Sequence, residues 1–177
     1  MIAKCEYAKA LFMLAVEMDK CEKILVDLNA VTSAVKENKG YIALLDTPAL
    51  PKEEKLSLID EAFSSLDECV VNLMKILCEK RLSREIFGIL EEYRKLYDEK
   101  FGILRVEAIS ARPMSASQLS TLKAKLEKEK GKTVIITNTH DPEILGGLKL
   151  RYSGIQLDGS LKTRLDKIEA SLKSVIV

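Results

Sequence analysis

At Gly102 the chain changes its period, and that change limits what it can fold into. Before it, apolar residues recur at the three-and-four spacing of helices from Ile2 to Phe101. After it, Leu104, Val106 and Ala108 alternate with Arg105 and Glu107, and Leu148, Leu150 and Tyr152 alternate with Lys149 and Arg151. That is the period of a strand. A single layer cannot serve both patterns. The sequence therefore predicts an N-terminal all-α six-helix bundle, residues 1–102, followed by a small α+β C-terminal domain, residues 103–177. A chain of 177 residues with 47% apolar side chains has enough core for two such units.

Within the first part, the stretch Ile2 to Met18 is unusually apolar. Its apolar arc covers roughly two thirds of the circumference, where a bundle helix needs little more than a third. Ala8, Leu11, Phe12 and Ala15 form one side of the arc; Ala3, Tyr7, Ala10 and Leu14 form the other. Either the helix is buried centrally in its own bundle, or one side faces the core and the other a second protein. A second helix carries Ile24, Leu28, Val31 and Val35, and Gly40 is expected to close it in a left-handed cap. A short apolar piece, Tyr41 to Leu45, follows. Pro51 suits the first position of the next helix, with Leu56, Ile59 and Phe63. From Leu66 to Arg81 the broad arc returns, in Cys69, Val70, Val71, Leu73, Met74, Ile76, Leu77 and Cys78. Two such helices in one bundle suggest a groove between them. Ser83 is expected to cap a last helix with a narrow stripe of Ile86, Leu90, Tyr93, Tyr97 and Phe101.

In the second part, Ser115 and Gln118 form a capping box ahead of a helix carrying Leu119, Leu122 and Leu126. An apolar run, Val134 to Ile136, precedes Asp141-Pro142, which starts a single turn, and the corner Gly146-Gly147. The corner is read as a close backbone approach. Ser153-Gly154 fits a two-residue hairpin turn returning through Ile155 and Leu157. Asp158, Gly159 and Ser160 then start a helix with Leu161, Leu165, Ile168 and Leu172.

Composition excludes several kinds of chemistry. Charge is nearly balanced, 28 basic against 27 acidic residues, and 5% of residues are aromatic with no tryptophan. No global field draws the chain to nucleic acid or an anionic membrane. The single histidine, His140, reads as a solvated residue beside a turn. Neither GxxxxGK[ST] nor GxGxxG occurs, so no loop cradles a nucleotide phosphate. The four cysteines, Cys5, Cys21, Cys69 and Cys78, lack CxxC spacing and lie in apolar helical patterns. They are expected to be reduced core or groove residues, as in a reducing cytosol. No apolar run is long enough to span a bilayer. The expectation is a chain without catalytic, cofactor-binding or metal residues.

The string GGLKLRYSGIQLDGSLKTRL resembles the C-terminal signature of the delta subunit of F-type ATP synthases, the family of the mitochondrial oligomycin-sensitivity-conferring protein. The glycine pair, the alternating strand and the DGS-plus-arginine helix start match in order. Ser153-Gly154 departs from the glycine-aspartate pair common at that turn. The string YAKALF resembles the family's opening as well. The resemblance implies the cap of the peripheral stalk, a non-catalytic stator with no cofactor. Its N-terminal domain would bind the N-terminal helix of an alpha subunit, and its C-terminal domain the ends of the b subunits. The chain would be monomeric alone, present as one copy per complex, and held at the cytoplasmic face of the cell membrane only through the complex.

In that family the partner helix lies between the first and fifth helices, which are the two with broad arcs here. The expected walls are Ala3, Tyr7, Ala10 and Leu14 on one side and Cys69, Leu73 and Ile76 on the other. Lys149, Arg151, Ser160 and Arg164 are candidate stalk contacts, while Gly146, Gly147, Asp158 and Gly159 serve the turn and the helix start. Two other classes stay open. A free-standing adaptor would use the same groove without any ATP synthase. A weak nucleic-acid module would rest on Lys149, Arg151, Lys162, Arg164, Lys167 and Lys173, a patch diluted by Asp158, Asp166 and Glu169.

Overall fold

The computed structural model describes residues 2–47, 50–142, 144, 146–152 and 154–161, with Ile2, Ala3 and Lys39 described by backbone alone. The chain forms two compact units that divide between Tyr97 and Asp98.

The first unit is helical. Helices α1 (Ile2–Glu17) and α2 (Cys21–Glu37) are joined by a turn in which Asp19 takes a φ of 52°. Then come α3 (Lys39–Asp46), α4 (Lys52–Phe63), α5 (Glu68–Glu79) and α6 (Ile86–Lys100). A six-helix description is inexact, because a separate 3-10 turn, Ser83–Glu85, precedes α6. The core is drawn from every helix: Ala8, Leu28, Leu45, Ile59, Met74, Leu77 and Ile89 are fully buried. Tyr93 is buried among them. Its hydroxyl donates to the Cys21 carbonyl oxygen at 3.1 Å, and the Phe12 ring meets it edge-on at 5.4 Å. Burial pushes the Tyr93 phenol well above its ordinary pKa.

Three local expectations need correction. Gly40 is not a left-handed cap: α2 ends at Asn38, whose N–H donates to the Ala34 carbonyl, and Gly40 sits in the first turn of α3. Ser83 does not cap α6. It begins the 3-10 turn, and its buried Oγ has no hydrogen-bond partner. Pro51 occupies the cap position of α4 rather than the first helical one. α5 is shorter than the stretch from Leu66 to Arg81 because Asp67 caps it, its side chain accepting from the Cys69 N–H.

The second unit is α+β. Strand β1 (Ile103–Ser110) leads through α7 (Ala116–Lys130) to β2 (Thr133–His140), and β3 (Leu148–Tyr152) and β4 (Ile155–Asp158) complete the sheet in the order β2-β1-β3-β4. β1 and β2 run parallel with Leu104 beside Val134; β3 is antiparallel to β1 and to β4. Tyr152 pairs with Ile155, and Gly154 takes a φ of 78°. Leu104, Val106, Leu126, Val134 and Tyr152 form the core. The capping box of α7 is complete: Gln118 N–H donates to Ser115 Oγ at 3.3 Å, and Ser115 N–H donates to Gln118 Oε1 at 2.9 Å. The helix expected from Ser160 lies, beyond Leu161, outside the described residues.

Candidate functional site

The broad arc of α1 is divided between core and surface. Ala8, Leu11 and Ala15 are buried, while Ala10 is exposed. Met13 is 65% exposed, Leu14 48% and, just past the helix, Met18 45%. Ala10, Leu14 and Met18 follow one another at four-residue spacing and so form a straight ridge. Tyr7 is half-buried and packs on the core, and the side chain of Ala3 lies outside what is described.

On α5 the second ridge is not the one expected. Ile76 is 44% exposed and Cys69 half-buried, but Leu73 is 4% exposed and belongs to the core. Asn72 stands at the surface between Cys69 and Ile76 instead. The reason is geometric. By spacing Asn72 and Leu73 both neighbour Cys69 and Ile76, but they lie on opposite flanks of that line, and Leu73 is on the flank of the buried Val70 and Leu77. The two ridges are linked, because the Cys69 thiol donates to Met18 Sδ at 3.7 Å. Burial pushes the Cys69 thiol up.

A buried carboxylate fixes the start of α5. Asp67 Oδ2 accepts from Lys20 at 3.0 Å and Lys23 at 3.3 Å, Oδ1 accepts from the Cys69 N–H at 3.2 Å, and the Asp67 N–H donates to Asp27 Oδ2 at 2.9 Å. The Lys20 hydrogen bond, with help from the backbone and Lys23, lowers the Asp67 pKa to about 2 against the opposing effect of burial. Sequence reading missed Met13, Met18 and this network. The methionines were visible in the α1 arc. The network was not, since its members lie 40 or more residues apart.

In the second unit the glycine pair and the DGS segment form one backbone crossing. A Cβ on Gly147, whose φ is 92°, would stand 2.5 Å from the Gly159 carbonyl oxygen. Gly159 N–H donates to the Leu148 oxygen at 3.0 Å, Leu161 N–H to the Gly146 oxygen at 2.9 Å, and Ser160 N–H to Asp158 Oδ1 at 2.9 Å. Ser160 is buried at 3% exposure, so its side chain is part of this crossing rather than of a surface. Lys149 pairs with Asp158 at 3.5 Å and Arg151 with Glu107 at 3.3 Å. Both cations of the nucleic-acid reading that are described therefore have carboxylate partners. Lys162, Arg164, Lys167 and Lys173 lie outside the described residues. The exposed apolar side chains near the hairpin are Ile155, Leu157 and Leu161.

A cleft of about 850 Å³ lies between the loop after β1, the start of α7 and Gly146-Gly147. Its charged lining residues are Arg112 and Lys125, with no histidine or carboxylate among the described residues to work as an acid–base pair. His140 is exposed at the end of β2. The four cysteines are free thiols, and no cluster among the described residues could hold a metal ion. No described helix is long and apolar enough to cross a membrane. The exposed apolar side chains described above lie in two places, along α1 and α5 and at the hairpin.

Comparison with known proteins shows the family. The model of the ATP synthase delta (OSCP) subunit family matches residues 2–172. ATP synthase subunit delta of Desulfosudis oleivorans is 32% identical over 169 residues, spanning 94% of this chain and 92% of its own. The same subunit of Clostridioides difficile is 34% identical over 172 residues, spanning 96% and 95%. A chain in the cryo-electron microscopy structure of the Toxoplasma gondii mitochondrial ATP synthase hexamer superposes with a TM-score of 0.71 at 25% identity, over 96% of both chains. Because the match runs from the first helix through the hairpin and past the glycine crossing, the chain belongs to the ATP synthase delta (OSCP) subunit family.

Proposed function

We propose that this stator subunit of the F-type ATP synthase holds the catalytic head through the apolar strip of its helical unit. The family carries the stator role: a stationary link between head and peripheral stalk, against which rotor torque drives ATP synthesis. The observation that carries the attachment is the exposed line of Ala10, Leu14 and Met18, joined through Cys69 to Ile76. An amphipathic helix laid on it, the N-terminal helix of an alpha subunit, would bury side chains that the described residues of the unit leave exposed. Such burial stabilises by roughly 25 cal/mol per Å² before association costs. Exposed methionines suit the task, since their unbranched side chains adapt to a partner's shape.

A clamp under torque must release slowly. Binding in the nanomolar range, about 12 kcal/mol, meets that demand. The second unit engages the ends of the b subunits through the hairpin, with Lys149 and Arg151 at its polar face and Ile155 and Leu157 at its apolar edge. The chain itself catalyses nothing; it works at the cytoplasmic face of the membrane, held there by the complex.

Co-purification of tagged full chain with its native complex tests this reading. Recovery of alpha and b subunits is the expected result. Recovery of neither would overturn the stator assignment and leave the free-standing adaptor.

A further inference from the structure

α2 ends at Glu37 and α3 begins at Lys39, with the Tyr41 N–H donating to the Asn38 oxygen at 2.9 Å across the joint. Beside that joint a cavity of about 390 Å³ opens, lined by Val35 and Lys36 of α2, Ile42 and Ala43 of α3, Arg84 of the 3-10 turn and Phe87 of α6. That is the size of a small-molecule site. Val35 and Ile42 belong to the core and Phe87 packs on it, so the floor is apolar and held in place by the unit's own packing. Ala43, exposed and small, leaves the mouth open.

The rim carries one sign of charge. Lys36 and Arg84 are exposed, no carboxylate is among the lining residues, and neither cation forms an ion pair among the described residues. Lys36 Nζ stands 6.0 Å from the centre of the Phe87 ring, whose face draws the ammonium over the apolar floor. Arg84 comes from a different element, so the two charges reach the cavity on separate supports. A guanidinium fork matches a carboxylate in its plane and can donate two parallel hydrogen bonds to it. Water satisfies such a rim but gains nothing from the floor; an uncharged hydrocarbon does the reverse. We propose that this cavity binds a small amphipathic carboxylate, with its apolar chain against Val35, Ile42 and Phe87 and its charge at Lys36 and Arg84.

The ligand would touch α2, α3 and α6 at once, an arrangement only the folded chain offers, so its binding stabilises the helical unit. None of the lining residues belongs to the head-binding strip of α1 and α5. The site therefore stands apart from the stator reading.

Octanoate is the probe, and octanol and acetate each keep one half of its chemistry. Titration of the isotopically labelled full chain, followed by two-dimensional NMR at neutral pH, should show octanoate moving the signals of Val35, Ile42 and Phe87 with a dissociation constant on the order of 1 mM or lower. Octanol should bind there at least about fivefold more weakly, and acetate should move none of these signals over the same range. Lys36→Gln combined with Arg84→Gln should weaken octanoate at least about fivefold and leave octanol unchanged. Octanoate that binds no tighter than octanol, a double variant that keeps wild-type affinity, or signals that move along α1 and α5 instead overturns the proposal. Recovery of alpha and b subunits with the double variant should equal that of the wild type. Its loss would give the cavity to a protein partner and overturn the small-ligand assignment. Both side chains are exposed, so circular dichroism should show the variant folded as the wild type is.

Discussion

Asp67 caps α5 with one carboxylate oxygen and holds two lysines with the other. Its folded pKa of about 2 lies below the roughly 3.9 of an unfolded aspartate, so the group stabilises the fold above the unfolded value. That contribution disappears as pH falls from about 4 toward about 2. The side chain is 4% exposed but Lys20 and Lys23 are open to solvent, so screening leaves about 1–2 kcal/mol. Asp67→Asn keeps an oxygen for the cap and loses the charge. Urea unfolding at pH 7 should show the variant weaker by that amount, and the gap should close near pH 2. A gap that persists at low pH would assign the effect to packing. Gly147→Ala is the other sharp test at this scale. With φ at 92° and backbone 2.5 Å from the new Cβ, it should cost about 2 kcal/mol or more, read by the same denaturation.

At the scale of elements, what was legible in the sequence is what its near neighbours decide. The capping box of α7, the alternation of β1 and β3 and the close approach at Gly147 are written within a few residues of where they act. Ser115→Ala should accordingly weaken α7 by about 1 kcal/mol, with hydrogen exchange rising in its first turn. Gly40 and Ser83 misled because tertiary packing overrode local habit: one was taken into α3 and the other into a buried 3-10 turn. The site shows the same division. Breadth of the apolar arc singled out α1 and α5 as helices with more apolar surface than one contact needs. It did not say which side of α5 would be covered, since that depends on Asp67, Lys20 and Asp27 drawing the start of the helix onto α2 and the α1–α2 turn. Leu73 went inward as a result, and Asn72 outward.

For the whole molecule, the proposed function assigns the two units separate tasks. Each has its own buried cluster, Ala8 to Tyr93 in one and Leu104 to Tyr152 in the other. Removing the residues after Gly102 should therefore leave the helical unit folded and able to bind the alpha N-terminal peptide, while b subunits are no longer recovered with it. Loss of peptide binding in this shortened chain would show that the second unit completes the site.

Isothermal titration of the full chain with the alpha N-terminal peptide tests the central claim most directly. The wild type should bind with nanomolar affinity, and Leu14→Asp or Ile76→Asp should each weaken binding at least about 30-fold, roughly 2 kcal/mol, without loss of helix content. Leu157→Asp, on the other unit, should bind as the wild type does. Unchanged affinity in both Leu14→Asp and Ile76→Asp would contradict the account and move the head's attachment elsewhere.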